Sequence, residues 1–600
     1  LLQGIERFSR RFDLIIYQKS KYFSAEQAQD NLTGLSPLLV RALRARGAVT
    51  PEQIERFLHP SAEDFHDPFL LPDMDKAVQR IHAALENGER ICIFGDYDVD
   101  GICSTAMLVD YFHSVGADVG YHIPSRREEG YGMSRGAIDK LHSCGVNLII
   151  TVDNGISAAD EISYCSELGI DVIVTDHHIP PETVPKCTAV VCHTVSNSQY
   201  PNSILCGAGI AFKLLHALAG LEAAMQYVSL AGLASVADVV PLLDENRVFV
   251  KLGLDAINSG NCCNGLYRLL NGVPTARRPY NACTLGFAVA PRLNASGRMS
   301  DASLGVELFL CRDPNRADEI IARLNKLNEL RQQDEANILN DAIRRLEPCD
   351  LSDTRAIVLR SETWNAGVIG IAASRIAEMY HRPTILFSES DGILKGSARS
   401  IDGVNIHEVL CCCREFFVRF GGHAKAAGIT MESAFFEDFR LKLNACLKTG
   451  YDDSVFIPCK RYEFDIPLEQ VTGELIAELT RLAPFGESNP SPVFRSRHVA
   501  VSRLRRFGSD AQHTKMDVSP SISSSAAPLD AVWFASAASY YRLLNADTVD
   551  MLYTPGINNW NGFDSIQLRV VSAKAEQPRD IDAYIETVSY THLRAHETLR

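Results

Sequence analysis

The sequence predicts an α/β protein: a doubly wound parallel sheet, a long connecting helix, a second α/β domain and a small C-terminal β barrel. Three observations predict it. From about residue 74, short apolar runs alternate with amphipathic helical patterns, as in a parallel sheet covered on both faces. Around 312–346 a highly charged stretch keeps helical spacing throughout. Beyond about 451 the pattern changes to shorter strands with Gly, Asn and Pro turns.

The elements follow in order. "DKAVQRIHAALENG" is helical, with Ala77, Val78, Ile81, Ala84 and Leu85 on one face and a glycine stop. Then come strand "RICIF", loop "GDYDVDG", helix "CSTAMLVDYFHSVG", strand "ADVGYHIP", helix "SRGAIDKLHSCG" and strand "NLIITV". Helix "SAADEISYCSELG" and strand "DVIVT" continue the series. In 312–346, Ile320, Ile321, Leu324 and Leu327, then Ile338, Leu339, Ile343 and Leu346, share one helical stripe, although Gln and Asp in the middle leave room for a break. Strands "AIVLR" and "TILFS" flank helix "IGIAASRIAEMY", and "WNGFDSIQLRVV" reads as a turn followed by alternation.

Six hundred residues are too many for one hydrophobic core, so two to four domains are expected. Hydrophobic residues at 46% and charged residues at 22% are those of an ordinary soluble protein. A net charge of −15 gives no global attraction to nucleic acid or anionic membrane, yet leaves room for a local basic groove. The 17 cysteines show no CxxC pair, and neither "CC" at 262–263 nor "CCC" at 411–413 has a second ligand pair at zinc spacing. They are expected to be buried or incidental thiols in a reducing cytosol. No apolar run of about 18 residues appears, so no membrane span is expected. The start at Leu1 suggests a fragment, and "VSYTHLRAHETLR" at 588–600 resembles a translated sequencing adapter more than a domain end.

Ligands in open parallel sheets bind beyond the carboxyl ends of the strands. Here "ICIF" runs into Asp96, Asp98 and Asp100, "LIITV" into Asp153, and "DVIVT" into Asp176, His177 and His178. Asp238, in "SVADVVPL", follows an apolar stretch without an obvious strand end. Each of these alone reads as an ordinary turn or cap. Carboxylates gathered on one rim repel one another unless cations neutralise them, and a carboxylate and imidazole set suits Mn²⁺ or Mg²⁺. Two such ions bridged by a carboxylate suit phosphoester hydrolysis. An EF-hand reading of "DYDVDG" fails, because an apolar helix follows without the closing Glu.

In that order, "GDYDVDG", "VDNG", "TDHH" and "VADVVPL" resemble the four motifs of the DHH phosphoesterase superfamily. "IPSRREEGYGMS", "PRLNASGRM", "GVIGIAASR", "KGSARS", "GGHAKAAG", "PFGESNPSPVF" and "NNWNGFDSIQLRV" are similar to its RecJ branch, over roughly 35–580. The resemblance implies an N-terminal region (1–70), a DHH catalytic domain (71–311), a connecting helix (312–347), a DHHA1 domain (348–450) and an OB-type nucleic-acid-binding barrel (451–587), enclosing a channel, with 588–600 non-native. It implies a 5′ to 3′ exonuclease on single-stranded DNA that releases nucleoside 5′-monophosphates, in a cytoplasmic monomer serving repair and recombination. A DNA helicase and a single-strand-binding protein are the implied protein partners.

Carried over by motif, Asp98, Asp100, Asp153, His177 and Asp238 are metal ligands for two Mn²⁺ or Mg²⁺ ions, with Asp153 the bridge and His178 facing the scissile phosphate. Asp96 stays open between an additional ligand and a turn-stabilising residue. Arg126, Arg298, Ser397 and Arg399 match positions that hold the 5′ phosphate, for which arginine forks are suited. His423 sits where glycine-flanked backbone meets nucleic acid, and Tyr131 is placed to stack on a base. Arg505, Arg506 and Lys515 of the barrel offer phosphate contacts, or form a solvated charged face.

Three departures stand out: Phe94 where many relatives place a metal-binding His, "VVCHT" (190–194) in place of Asn-Pro after "VV", and Asn365-Ala366 where His-Pro is usual. The last two are expected to bear on the substrate path more than on the metal core. Two other readings compete: a phosphodiesterase of short oligonucleotides or cyclic dinucleotides, and a catalytically silent DNA-binding scaffold. The barrel region argues against the first and the full ligand set against the second.

Overall fold

The computed structural model describes residues 15–20, 34–125, 129–130, 132–274, 276–349, 351–508, 511–536, 539–540, 543–544, 546–560 and 563–576. They form two compact units. One comprises Glu52–Cys446 with Pro484–Pro490; the other joins the N-terminal residues up to Pro51 to Leu447–Ala483 and the chain from Ser491 onward.

The first unit contains helix α1 (Met74–Glu86) and a five-stranded sheet of β1 (Ile91–Phe94), β2 (Val119–His122), β3 (Leu148–Val152), β4 (Asp171–Thr175) and β5 (Ala189–Val191). The order is β2-β1-β3-β4-β5, with every pairing parallel. Strict alternation along the strands feeds two separate cores. Ile91, Ile93, Leu148, Ile150, Val152 and Ile173 pack into one, with α2 (Val99–Ser114), α5 (Gly207–Ala219) and α6 (Val228–Ala237). Cys92, Phe94, Ile149, Val172 and Val174 pack into the other, with α3 (Arg135–Ser143) and α4 (Ala159–Glu167). The sheet is therefore doubly wound, as the near-continuous apolar strands predict. Its order reverses between β1 and β3, and the crevice beyond their carboxyl ends is where such sheets bind ligands.

After α7 (Asp244–Ser259) and α8 (Ala290–Met299), the charged stretch folds as one helix, α9 (Pro314–Leu346), of 33 residues. No break occurs at its Gln and Asp residues. There Asn328, Arg331 and Glu335 are buried and bond to one another, so the polar middle of α9 is a packed face. A second sheet follows, of β6 (Ile357–Ser361), β7 (Thr384–Ser390), β8 (Ile393–Arg399), β9 (Phe417–His423) and β10 (Ala426–Glu432), ordered β9-β10-β8-β7-β6. Helix α10 (Ile369–Tyr380) joins β6 to β7.

In the second unit, β11 (Phe494–Phe507), β12 (His513–Ser519), β13 (Leu529–Trp533), β14 (Thr548–Trp560) and β15 (Phe563–Ala575) pair in the order β11-β12-β13-β15-β14. A further pairing of β14 with β11 closes the barrel. All 17 cysteines are free thiols, and no cysteine joins a metal-capable group among the described residues. No helix among them is long and apolar enough to cross a membrane.

Candidate active site

Each acidic strand end is shaped by backbone demands before any ligand is considered. Asp98 caps α2: its Oδ1 accepts from the N–H groups of Asp100 (2.9 Å) and Gly101 (3.2 Å). Asp100, in the first turn of α2, is fully buried against the N-terminus of α5. There the Gly207 N–H donates to Oδ2 (2.6 Å) and the Ala208 N–H to Oδ1 (2.7 Å). Asp153 follows β3 with φ of 61°, a left-handed conformation uncommon for a residue with a side chain. Asn154 ties this end to its neighbour by donating to the carbonyls of Phe94 (3.1 Å) and Val152 (2.9 Å). Asp238 is not at a strand end; it caps the carboxyl end of α6, and Val239 after it also has positive φ, 59°.

Asp176 organises the turn after β4. Its oxygens accept from the N–H groups of Ile156 (2.9 Å), His177 (2.7 Å) and His178 (3.1 Å) and from His178 Nδ1 (2.7 Å). His177 is thereby aimed inward, with Nε2 3.0 Å from Asp153 Oδ1, 3.7 Å from Asp100 Oδ2 and 3.9 Å from Asp238 Oδ2. Three triads have ligand atoms within 4.8 Å of one another: Asp153 with His177 and His178, Asp100 with His177 and Asp238, and Asp96 with Asp98 and Asp153. Asp153 and His177 each belong to two.

All five ligands expected from the motifs are brought together, and Asp96, left open by the sequence, joins them. Its place at i, i+2, i+4 with Asp98 and Asp100 is the signal that could have found it.

The electrostatics follow from this crowding. Burial, then the carboxylates of Asp100, Asp98, Asp96 and Asp238, push Asp153 well above the usual carboxylate range. Burial and the neighbouring acids raise Asp100 to about 7, against the pull of the α5 amides, and Asp238 to about 9. Burial lowers His177 to about 3, which leaves a neutral imidazole. Burial opposes a charge on His178 as well, but its bond to Asp176 prevails and raises it to about 9. An unbalanced buried acid cluster with neutral imidazole is a donor set that fits hard divalent cations.

A second cluster is cationic. Gly297, near the end of α8, lies against the Tyr97 carbonyl, leaving only 2.4 Å where a side chain would begin. The next residue, Arg298, reaches across to donate from Nη1 to the Gly367 carbonyl (3.1 Å), just before α10. Ser397 Oγ and Arg399 Nη2 lie against Gly370 in the first turn of α10, each 2.8 Å from where a side chain would start. Any larger residue there would fill the space between the guanidinium and the helix end. Arg399 also donates to Ser397 Oγ (2.8 Å). Arg399 and His423 both face Ala426 across the β8-β10-β9 register, and burial together with the Arg399 charge lowers His423. Arg298, Ser397 and Arg399 thus meet at the N-terminus of α10, with His423 beside Arg399. Arg126 and Tyr131 lie outside the described residues.

The departures are also placed. Phe94 is fully buried, with its ring 4.9 Å from that of His122 in the α3 and α4 core. The "VVCHT" segment is bonded to the turn that follows β4. Thr194 Oγ1 donates to the His178 carbonyl (2.7 Å), Cys192 packs on Thr194, and His193 bonds the Leu205 carbonyl (3.0 Å), so this segment backs the histidine turn. Asn365 donates from Nδ2 to Asp334 of α9 (3.0 Å) and accepts from the Gly367 N–H (3.0 Å), linking the loop before α10 to the connecting helix. Lys515 pairs with Asp530 (2.8 Å), whereas Arg505 and Arg506 are exposed on β11.

Fold and acid–histidine rim define a DHH-type protein, and the comparisons agree. The DHH family, N-terminal domain, matches residues 90–237; the DHHA1 domain matches 353–449; the RecJ OB domain matches 462–572. The single-stranded-DNA-specific exonuclease RecJ of Bacillus subtilis (strain 168) is 37% identical over 545 residues, 90% of this chain and 68% of that protein. RecJ of Escherichia coli (strain K12) is 33% identical over 566 residues, 90% of this chain and 96% of that protein. The crystal structure of Thermus thermophilus RecJ in complex with Mn²⁺ superposes with a TM-score of 0.76 at 29% identity, covering 95% of this chain and 80% of that one. The chain belongs to the RecJ family.

Proposed function

We propose that the chain is a metal-dependent exonuclease that degrades single-stranded DNA from the 5′ end to nucleoside 5′-monophosphates, in DNA repair and recombination. One observation carries the reading: successive residues Gly297 and Arg298 connect the two clusters, the first seated on the loop between Asp96 and Asp98, the second reaching the phosphate side. A terminal phosphate held by Arg298, Ser397 and Arg399 at the N-terminus of α10 would present the next phosphodiester bond to the acidic rim. Such an anchor would release one nucleotide at a time and set the polarity.

Asp98, Asp100, Asp153, His177 and Asp238, with Asp96 as a sixth donor, would hold two Mn²⁺ or Mg²⁺ ions. Bound there, the ions neutralise the acids, acidify a water and stabilise charge on the reacting phosphate. Asp153 is shared between donor sets, and the α5 amides fix Asp100 in place. His178, held at Nδ1 by Asp176, keeps Nε2 for a phosphate oxygen and holds a proton there. His423 flanks the terminal phosphate; Arg126 and Tyr131 are carried over from the family motifs to the same strand. Digestion from single-stranded ends supports cooperation with a helicase and a single-strand-binding protein in the cytoplasm.

The test is digestion of 3′-labelled single-stranded and duplex DNA in Mn²⁺, with chelator and Asp153→Ala as controls. Stepwise loss from the 5′ end of the single strand, abolished by both controls, is the expected result. Binding without cleavage would reject the exonuclease in favour of a silent scaffold. Cleavage restricted to the shortest oligomers would point to a small-substrate phosphodiesterase.

A further inference from the structure

The "CCC" run at 411–413 belongs to neither the acidic rim nor the cationic cluster, and the fold gives it a fourth thiol. Helix α11 (Ile406–Cys411) ends in the run, and α12 (Phe436–Gly450) packs against the turn that follows. Three contacts fasten the two segments. Glu415 pairs with Lys442 of α12, and the Phe439 ring of α12 lies 6.3 Å from that of Phe416 and 5.4 Å from that of Phe417. Cys446, one turn beyond Lys442, is thereby set against the run, and its thiol hydrogen-bonds with those of Cys412 and Cys413. The neighbours differ in surroundings. Cys411 has solvent but meets an imidazole, with Sγ 3.9 Å from His407 Nδ1. Cys413 meets Cys446 but is fully buried; only Cys412 combines solvent access with a partner thiol. Burial and Cys446 push Cys413 up to about 12, so it keeps its proton. Burial and Cys412 raise Cys446 as well, but the Cys413 S–H and the Lys442 ammonium oppose that rise.

We propose that Cys412 and Cys446 are a redox modification site, joined in a disulfide when the protein meets hydrogen peroxide. The exposed Cys412 thiolate attacks one peroxide oxygen and the O–O bond breaks. Cys412 becomes a sulfenic acid, and the departing hydroxide leaves as water with the proton that Cys412 gave up. The Cys446 sulfur then attacks the sulfenic sulfur, the S–O bond breaks, and a second water leaves with the Cys446 proton. Two thiols are oxidised by two electrons, and one peroxide is reduced to two waters. Metal binding, the other chemistry that clustered thiols offer, does not suit these sulfurs: among the described residues no three of them come together as one ligand set. The bridge would fasten the start of β9, the strand that ends in His423, to α12. This inference goes beyond the exonuclease reading and does not depend on it.

The test treats the reduced full chain, in chelator, with an equal amount of hydrogen peroxide, alkylates the remaining thiols, and cuts with trypsin without reduction. The expected product joins Ser400–Arg414 to Leu443–Lys448, is lighter by two hydrogen atoms than the two reduced peptides together, and disappears on reduction. Cys412→Ser and Cys446→Ser should each abolish it, whereas Cys411→Ser and Cys413→Ser should leave it. In Cys446→Ser, sulfenic acid should persist on Cys412, where a diketone traps it. Absence of the linked pair from the wild type would overturn the proposal. Survival of the pair in Cys412→Ser would overturn it as well, by assigning the bridge to another cysteine of the run. Over-oxidation of Cys412 without any linked peptide would show that Cys446 does not resolve the sulfenic acid.

Discussion

Two of the clusters of charge buried in the first unit are built on opposite principles. Lys213 of α5 and Glu245 of α7 are both fully buried, with Nζ 2.6 Å from Oε1. Both have further partners: Lys213 donates to the His66 carbonyl (2.5 Å), and Glu245 accepts from the His66 N–H (3.0 Å), Tyr200 Oη (2.7 Å) and Asn202 Nδ2 (3.4 Å). Phe65 and Tyr200 rings lie beside the ammonium. The acidic rim has no such balance, since Asp96, Asp98, Asp100, Asp153 and Asp238 meet a neutral His177. A balanced pair is complete as folded; the rim has one protonated imidazole, His178, against several acids, and the rest of its counter-charge comes from bound cations. The difference separates residues kept for structure from residues kept for chemistry, although Lys213 and the amides that grip Asp100 lie on the same helix.

Substitution at Asp153 should break the acidic side of the comparison with the largest effect. Asp153→Ala removes the donor shared by two triads, and the expected loss of turnover is at least about a thousandfold, the equivalent of several kcal/mol of charge stabilisation. The same change relieves repulsion, so in chelator its melting temperature should equal or exceed that of the wild type, while Mn²⁺ no longer raises it. A melting temperature well below wild type in chelator would mean the acid is structural. Lys213→Met tests the other cluster. Leaving Glu245 buried and unpaired should cost about 3–5 kcal/mol, read as an earlier denaturant midpoint by the same amount with or without Mn²⁺. A loss that Mn²⁺ restores would show that the pair belongs to the metal site after all.

Much of this was legible in the residues, for identifiable reasons. The parallel sheet is announced by strands apolar on both faces, and Asp153 and Asp176 by their position straight after such strands. Asp238 is recognisable only through its motif, because it ends a helix whose apolar residues resemble any buried segment. The spacing of Asp96, Asp98 and Asp100 shows that three acids are near one another; it cannot show that Asp98 spends an oxygen on capping α2 or that Asp96 turns inward. The grip on Asp100 is invisible in one dimension, since it comes from backbone amides of "GA" more than a hundred residues away. The unbroken α9 was hidden by its polar middle, where Asn328, Arg331 and Glu335 read as exposed and are packed. The contact of "CCC" with Cys446 joins two segments that no local pattern links.

Asn365 tests whether the cationic pocket is held from outside. Its amide bridges Asp334 and the Gly367 N–H, and Gly367 in turn accepts from Arg298. Asn365→Ala should raise KM for 5′-phosphorylated single strands about tenfold, as loss of an orienting partner does, with kcat changed little. The preference for 5′-phosphate over 5′-hydroxyl ends should fall in step. A uniform loss on both kinds of end would make the bridge merely structural.

The smallest effect concerns pH, and it separates the two clusters without any loss of activity to interpret. Asp100 at about 7 and Asp238 at about 9 both stand above the unfolded carboxylate value. A raised carboxylate contributes stability that is fully present below its unfolded pKa, near 4, and is lost as pH rises through the folded value. In chelator, stability should therefore decline from about pH 4 to about pH 9, by about 1.4 kcal/mol per pH unit for each proton retained. Asp238→Asn removes one of those protons and should flatten the upper part of the slope; saturating Mn²⁺ should remove it, because bound cations let the acids ionise in the folded state. Lys213 is lowered by burial, with Glu245 opposing, and a lowered lysine acts in the reverse sense, favouring the folded state as pH rises toward the unfolded lysine value. A fall in stability that persists in Mn²⁺ would therefore point to His178, raised to about 9 by its bond to Asp176 and losing its contribution as pH rises from about 6.5, whereas one erased by Mn²⁺ identifies the acids at the switch point as its source.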